Sequence, residues 1–588
     1  MKLAICLVLA CGIAVSGIAA EPAVAVNRQG IAVRRVDEKI DRGLVAIRQK
    51  PNQVYVGWRL LQSDPKGVAF NVYRRDGKSS PIKINSQPVL RTTDYTDRAA
   101  PATKDLCYLV RSVIGGREVK TPSDSPVRVA ENSQYIRVPL HGPYTVQKIG
   151  IADLDGDGRY DFVVKQPSDN IDPFRAYWQR SPGTYKLEAY RHDGKFLWRY
   201  DLGWAIERGI WYSPYVVYDL DGDGKAEVAV KTGEGDPRDD DGRVTSGPEY
   251  LTVLDGTTGR PVARTDWPSR EPFMGKDRLV SYNRASRNQL GVAWLDGVGK
   301  PPCLIAARGT YGYMTAVAYE YRNHKLHERW RWDNKNLPRS YQGQGAHWMQ
   351  CADVNADGHD EVILGSCVLD HRGHELWTTG LGHCDSAYLG DLDPSRPGLE
   401  IYYNMETRNR RNGMCMVDAA TGRILWGHSE PTIHIHGSGM CSDIDPTRPG
   451  SECYGGERDS KDKRWLRDCK GNVLSTEDMS LQLRPVYWDA DPQRELLRGH
   501  TLFKYKGPKL AKIEGNLLAV VDLCGDWREE IVTSVRGEVR IYTTTIPAVD
   551  PHVCLMQDPL YRSDVIMAAM GYYQCPLTSY DMATSGSR

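Results

Sequence analysis

Asp153-Leu154-Asp155-Gly156-Asp157-Gly158-Arg159-Tyr160-Asp161 runs directly into the apolar Phe162-Val163-Val164. Oxygens at loop positions 1, 3 and 5, a backbone carbonyl near 7 and a carboxylate at 9 can surround one hard cation, and calcium takes six to eight oxygens in flexible geometry. Glycines at positions 4 and 6 allow the tight reversal. An EF-hand needs its bidentate Glu at position 12 and flanking helices. Here the acid stands at 9 and a strand follows, so the loop belongs to a β-structure.

The pattern recurs. Asp219, Asp221, Asp223 and Glu227 precede Val228-Ala229-Val230, and Asp353, Asn355, Asp357 and Glu361 precede Val362-Ile363-Leu364. With Asp153, Asp155, Asp157 and Asp161 these are the expected calcium ligands. Without a cation, clustered carboxylates repel one another. Weaker versions start at Asp296, Asp391, Asp443, Asp489 and Asp522, which makes eight starts. At Asp391 and Asp443 an ordinary Asp-Pro turn is the alternative. A second mark, Asp-Gly or Thr-Gly before an apolar pair, lies between them, as in Thr421-Gly422-Arg423-Ile424-Leu425-Trp426. A unit of roughly 50 residues with several strands and no helical period predicts a blade of an eight-bladed β-propeller. The expected fold is all-β, with the propeller at 131–588.

Before it, residues 26–130 read as short alternating strands, such as Val54 to Leu60 and Ala69 to Arg74, and predict a small fibronectin- or immunoglobulin-like β-sandwich without a cluster of ionisable groups. Residues 1–20 have the charged, apolar and small-residue order of a signal peptide, so a secreted or periplasmic protein is expected. Val8-Leu9-Ala10-Cys11 leaves lipidation as an alternative. No later stretch is long and apolar enough to span a bilayer. The 76 basic and 75 acidic residues nearly cancel, so no global field points to nucleic acid or a membrane surface. The 32 Tyr and 15 Trp against 6 Phe suit strands and sugar-facing surfaces. Cys351 with Cys367, and Cys453 with Cys469, are close enough in sequence to bridge neighbouring strands; buried free thiols are the alternative.

Several segments carry a family resemblance: Val56-Gly57-Trp58-Arg59-Leu60-Leu61, Gly247-Pro248-Glu249-Tyr250-Leu251-Thr252, Thr379-Gly380-Leu381-Gly382-His383 and Gly525-Asp526-Trp527-Arg528-Glu529-Glu530. The chain resembles the rhamnogalacturonan lyases of polysaccharide lyase family 11. The resemblance implies a calcium-bearing eight-bladed propeller behind a small β-domain, and cleavage of the rhamnose–galacturonate backbone of pectin by β-elimination. An acidic polysaccharide or oligosaccharide is the expected substrate, and a monomer the expected state. The chain departs from the family pattern at Ser438, where members carry Arg, and at Glu514, where they carry Lys. These departures leave a glycan-binding propeller without catalysis, or a propeller glycoside hydrolase, as alternatives.

Elimination at a uronate needs a cation to neutralise the carboxylate and a base to take the C5 proton. Arg308, which matches a family Arg-Gly-Tyr segment, is a candidate carboxylate ligand. Tyr311 and Tyr572 are candidates for a stacking face or a proton. His347, His383, His434 and His436 share one phase relative to the acidic loops, which places them at one end of the fold, with Asp385 beside them. All five are candidate catalytic residues. A metal held by His434, His436 and Asp385 is one possible arrangement.

Overall fold

The computed structural model describes residues 38–584 apart from 121–124, 132 and 438. The leader at 1–20, the first residues of the 26–130 unit and Ser438 lie outside the described residues.

The chain is nearly all β. Two small sheets come first. Val45–Lys50, Gln53–Gly57 and Asp94–Asp97 form one, and Ala69–Asp76 with Leu106–Ile114 forms the centre of the other. They enclose one apolar core in which Trp58 meets Phe70 edge-on at 5.4 Å. The unit is fastened to the rest of the chain by buried polar groups. Arg528 Nη2 donates to Tyr55 Oη (2.9 Å) and Ala548 N to Asp94 Oδ2 (2.7 Å).

Eight four-stranded antiparallel sheets follow. Seven are continuous in sequence, at 148–201, 215–266, 288–333, 350–378, 384–427, 440–475 and 483–512. The eighth joins three strands at 516–542 to Tyr135–Pro139, which pairs with Glu538–Tyr542. The leading strands of neighbouring sheets lie against one another, from Lys148–Ala152 through Tyr215–Tyr218 and Asn288–Ala293 to Gln350–Ala352. Lys148–Ala152 also meets Asn516–Val521 of the eighth sheet.

The acidic loops join the first strand of a sheet to its second. Their last carboxylate turns back and accepts a backbone N–H from the start of its own loop. Glu227 takes Leu220 N (2.9 Å), Glu361 takes Val354 N (3.0 Å) and Glu495 takes Trp488 N (3.0 Å). The second sequence mark has an equally local cause. The tryptophan of a fourth strand donates to a carbonyl in the next sheet's last turn: Trp198 to Gly256 (2.7 Å), Trp377 to Ala419 (3.0 Å) and Trp426 to Cys469 (2.9 Å). The glycine of that turn lies flat on the ring. A Cβ on Gly422 would stand 2.6 Å from Trp377, and its φ of 69° already favours glycine.

Two helices interrupt the β-pattern. Helix α1 (Arg278–Ala285) is capped by Asp277, whose side chain accepts from Leu279 N and Val280 N. Helix α2 (Pro559–Met567) has Asp558 as its cap and Pro at its first position. It lies against the leading strands of the first four sheets, with Ser563 Oγ donating to Cys351 O (3.0 Å) and Gln350 Nε2 to Asp564 (3.0 Å). The twelve cysteines among the described residues are all free thiols. Cys453 faces Cys441 across a strand pair at 3.5 Å rather than bridging to Cys469, and Cys351 is not bonded to Cys367.

Candidate active site

The histidines gather at the end of the sheets where first strands begin and second strands finish. The acidic loops lie at the other end, about 15 Å away along a five-residue strand.

His347 precedes the first strand of the fourth sheet, and His383 that of the fifth. Asp385 is in the strand His383 introduces, and Glu406 directly follows Glu400–Met405, its neighbour. His383 Nε2 lies 3.1 Å from His347 Nε2 and 3.0 Å from Glu406 Oε2, while His347 Nε2 lies 3.6 Å from the same oxygen. His383 Nδ1 is 2.5 Å from Gly345 O, which sets it as the protonated nitrogen and turns the Nε2 lone pair inward. The ligand atoms of His347, His383 and Glu406 all converge within 4.8 Å of one another. This donor set fits a divalent metal. Asp385 Oδ1, 3.7 Å from His347 Nε2, is buried without a hydrogen-bond partner among the described residues and could complete the set. The side chains that converge as possible metal ligands are His347, His383 and Glu406, with Asp385 beside them; His434 and His436, expected with Asp385 as one possible arrangement, are not part of that convergence.

His434 and His436 form the adjoining wall. His436 Nδ1 is 3.1 Å from Asp385 Oδ2 and 3.0 Å from His434 Nε2. Gly437 N donates to the same Asp385 oxygen (2.5 Å), and Glu457 holds His434 N (2.8 Å). Burial is the main cause that lowers the basicity of His434 and His436. Burial and the His383 ring push His347 down to about 3. Burial and the Glu406 charge push Asp385 up to about 8. For Glu406 burial acts upward, but hydrogen bonds to His347 and His383 outweigh it and hold the carboxyl well below its usual range.

Aromatic rings complete the site. Tyr311 Oη is 3.3 Å from His347 Nε2, and its ring centroid is 4.5 Å from that of His383. Tyr572 packs on His347 at 4.5 Å and on Trp211 at 5.3 Å. Arg308 is not part of this group. Its guanidinium is buried and fully engaged, with Nε on Pro268 O, Nη1 on Ala285 O and Nη2 on Glu249. The cations that do reach the site come from the end of α1. Arg287 lies 4.9 Å from the Trp211 ring and pairs in bidentate fashion with Asp172 (2.8 and 2.9 Å). Arg284 lies 4.6 Å over Tyr311 and makes no hydrogen bond among the described residues. Glu406, Arg284, Arg287 and Asp172 were not singled out from sequence. Only Glu406 had a usable signal, its place one strand beyond Glu400 and so at the histidine end. Glu514, at the family's Lys position, is largely exposed and pairs with Arg540 (3.0 Å).

Two family models cover almost all of the chain: the C-terminal domain of rhamnogalacturonan lyase family 11 matches residues 137–587, and the β-sheet domain of rhamnogalacturonan I lyases matches residues 35–128. The chain belongs to rhamnogalacturonan lyase family 11. This family 11 chain is 37% identical to the rhamnogalacturonan endolyase YesW of Bacillus subtilis, over 94% of its own length and 92% of the relative's. It is 36% identical to the exolyase YesX of the same organism, over 94% and 96%. The crystal structure of YesW and the solved structure of the Bacillus licheniformis rhamnogalacturonan lyase PL11 superpose with TM-scores of 0.85 and 0.84 at 35% identity, each covering 95% of this chain and 99% of the other.

Proposed function

We propose that the convergence of His347, His383 and Glu406 beside Asp385 and His436 is the centre of a β-elimination. The chain is a polysaccharide lyase acting on rhamnogalacturonan, as its family membership and its endolyase and exolyase relatives support. The binding-only and hydrolase readings are not favoured.

A divalent ion held by His347 Nε2, His383 Nε2, Glu406 and Asp385 would supply positive charge to the uronate carboxylate and acidify C5. Arg284, half-buried and without a competing acceptor, is placed to pair with that carboxylate. Trp211, Tyr311 and Tyr572 give the sugar ring an apolar wall. His436 turns Nδ1 onto Asp385, so its Nε2 is the free basic nitrogen and takes the C5 proton. The electron pair left at C5 forms the C4–C5 double bond as the C4–O4 bond breaks. Tyr572, whose phenol burial keeps protonated, can return a proton to the departing oxygen.

The eight sheets fit one eight-bladed propeller ring at 131–588, with the 26–130 unit seated on it. The adjoining leading strands, α2 among them and the sheet completed by Tyr135–Pro139 support that reading. Calcium suits the first three acidic loops, where Asp153, Asp155 and Asp161, and likewise Asp219, Asp221 and Glu227, converge. The third loop gathers Asp357 and Glu361 with His371. At three of the five weaker loops a cationic side chain of the protein takes the position. Lys504 Nζ is 2.6 Å from Asp489 and 2.5 Å from Asp491, Lys470 Nζ is 2.6 Å from Asp393, and Arg329 pairs with Asp296 at 2.7 Å. Export through the segment at 1–20 belongs to the same proposal.

The test is incubation of purified protein with rhamnogalacturonan I, reading ultraviolet absorbance from the unsaturated uronate, before and after metal removal and restoration. Reducing ends without absorbance would point to hydrolysis, and neither signal to a binding protein.

A further inference from the structure

Against α1, in a cavity that none of the histidines lines, is a buried cluster of charge that the proposed elimination does not use. Lys231 sits in the second strand of the second sheet, Glu249 opens the third strand of that sheet, and Arg308 ends the second strand of the third. Arg270 comes from the link between the two sheets. All three cations converge on one carboxylate. Lys231 Nζ lies 2.7 Å from Glu249 Oε1, while Arg270 Nη2 and Arg308 Nη2 lie 2.9 and 2.5 Å from Glu249 Oε2.

The charges do not balance. Three cations face Glu249, and the next acid on the cavity wall, Glu207, has both oxygens occupied by Trp178 Nε1, Tyr282 Oη and Val244 N. Arg243, beside Glu207, has its own partner in Asp241 (2.7 Å). Even with Glu207 ionised, one positive charge remains over. Buried charges left uncompensated are costly, so such a site calls for a counter-ion. One donor has no partner among the described residues: Arg270 Nη1 is buried and makes no hydrogen bond there. The cavity that Lys231, Glu249, Arg270 and Arg308 line holds a volume of about 20 Å³, room for about one water-sized particle.

We propose that a small monatomic anion of the size of chloride binds in this cavity, between Lys231 Nζ and Arg270 Nη1. The electrostatics agree. Burial, with Arg308 and Arg270 adding to it, pushes Lys231 down to about 8 against the pull of Glu249. A bound anion reverses that trend and keeps the lysine charged. The site also steadies α1, because Arg308 Nη1 donates to Ala285 O at the helix end that carries Arg284. The proposal does not depend on the reading of the histidine centre.

The probe is the halide itself. Crystals of the full chain soaked in bromide should show an anomalous peak in contact with Lys231 and Arg270. The thermal midpoint should rise by about 1–2 °C, and saturate, when chloride replaces gluconate at constant ionic strength. Lys231→Met and Arg270→Gln should remove that increment. A water without anomalous signal in the cavity overturns the proposal, as does a midpoint indifferent to chloride in the unmodified protein; neither needs a variant to fold.

Discussion

His347 and His383 face each other through Nε2 atoms 3.1 Å apart, closer than two imidazole lone pairs approach without a proton or a cation between them. With Glu406 Oε2 3.0 Å from one of them, the pair is ready for a metal. His383→Ala should therefore lose one equivalent of bound divalent metal, by elemental analysis, together with the absorbance signal of elimination. Full metal content in the variant would remove the ligand assignment.

His436 is the residue whose loss should act on the chemical step. His436→Ala should lower kcat by about 10²–10⁴-fold, the scale of general acid–base catalysis, with little change in KM. His434→Ala should cost less, since His434 only borders the nitrogen that Asp385 already orients. Normal turnover in His436→Ala would transfer the base role elsewhere.

Arg284 and Arg308 make opposite predictions. Arg284→Ala should raise KM by about 10–100-fold, the worth of a hydrogen bond to a charged group, and Arg284→Lys should restore part of it. Arg308→Lys should leave KM nearly unchanged and lower the thermal midpoint, because Arg308 ties Pro268, Ala285 and Glu249 together inside the fold. The reverse pattern would return the substrate role to Arg308.

The acidic loops couple stability to pH and calcium. In metal-free protein, burial and the neighbouring Asp221 and Asp219 push Glu227 up to about 8, and burial with Asp357 and Asp353 does the same to Glu361. The folded state then binds more protons than the unfolded one between the ordinary glutamate value and 8. The stabilisation is complete below that window and is lost as pH rises through it. A chelated sample should melt lower at about pH 8.5 than at about pH 5, and saturating calcium should flatten the slope. A flat profile after verified metal removal would count against calcium in these loops.

Gly422→Ala tests how neighbouring sheets lock together. The added methyl meets the Trp377 ring at 2.6 Å and a backbone at φ 69°. A loss of about 1–3 kcal/mol is expected from denaturant unfolding, in the range of overpacking. The same change at Gly222, where nothing lies within 4 Å of the new carbon, should cost only its backbone strain.

The fold was legible because its causes repeat. A loop's last acid caps its own backbone, as Glu227, Glu361 and Glu495 do, and a turn glycine admits a tryptophan, as Gly259, Gly373, Gly422 and Gly471 do, so the same letters return from sheet to sheet. The histidines shared that phase and could be placed at one end. Arg284 and Arg287 could not, since α1 occurs once and no period announces it. Arg308 misled because an arginine at a strand end reads the same whether it meets substrate or a buried glutamate. Lys470 could not be matched to its loop either, since the Asp393 that it reaches is 77 residues away.

Arg137 and Glu538, ion-paired across the seam where Tyr135–Pro139 completes the last sheet, are 401 residues apart in the chain. Such a seam cannot form until almost the whole length of the chain is present. A nascent chain halted before residue 538 leaves Tyr135–Pro139 as an unsatisfied strand edge, open to pairing with another molecule. Shortening the chain past either side of the seam produces the same wound. Cutting it at an exposed turn elsewhere and joining the old ends should spare it.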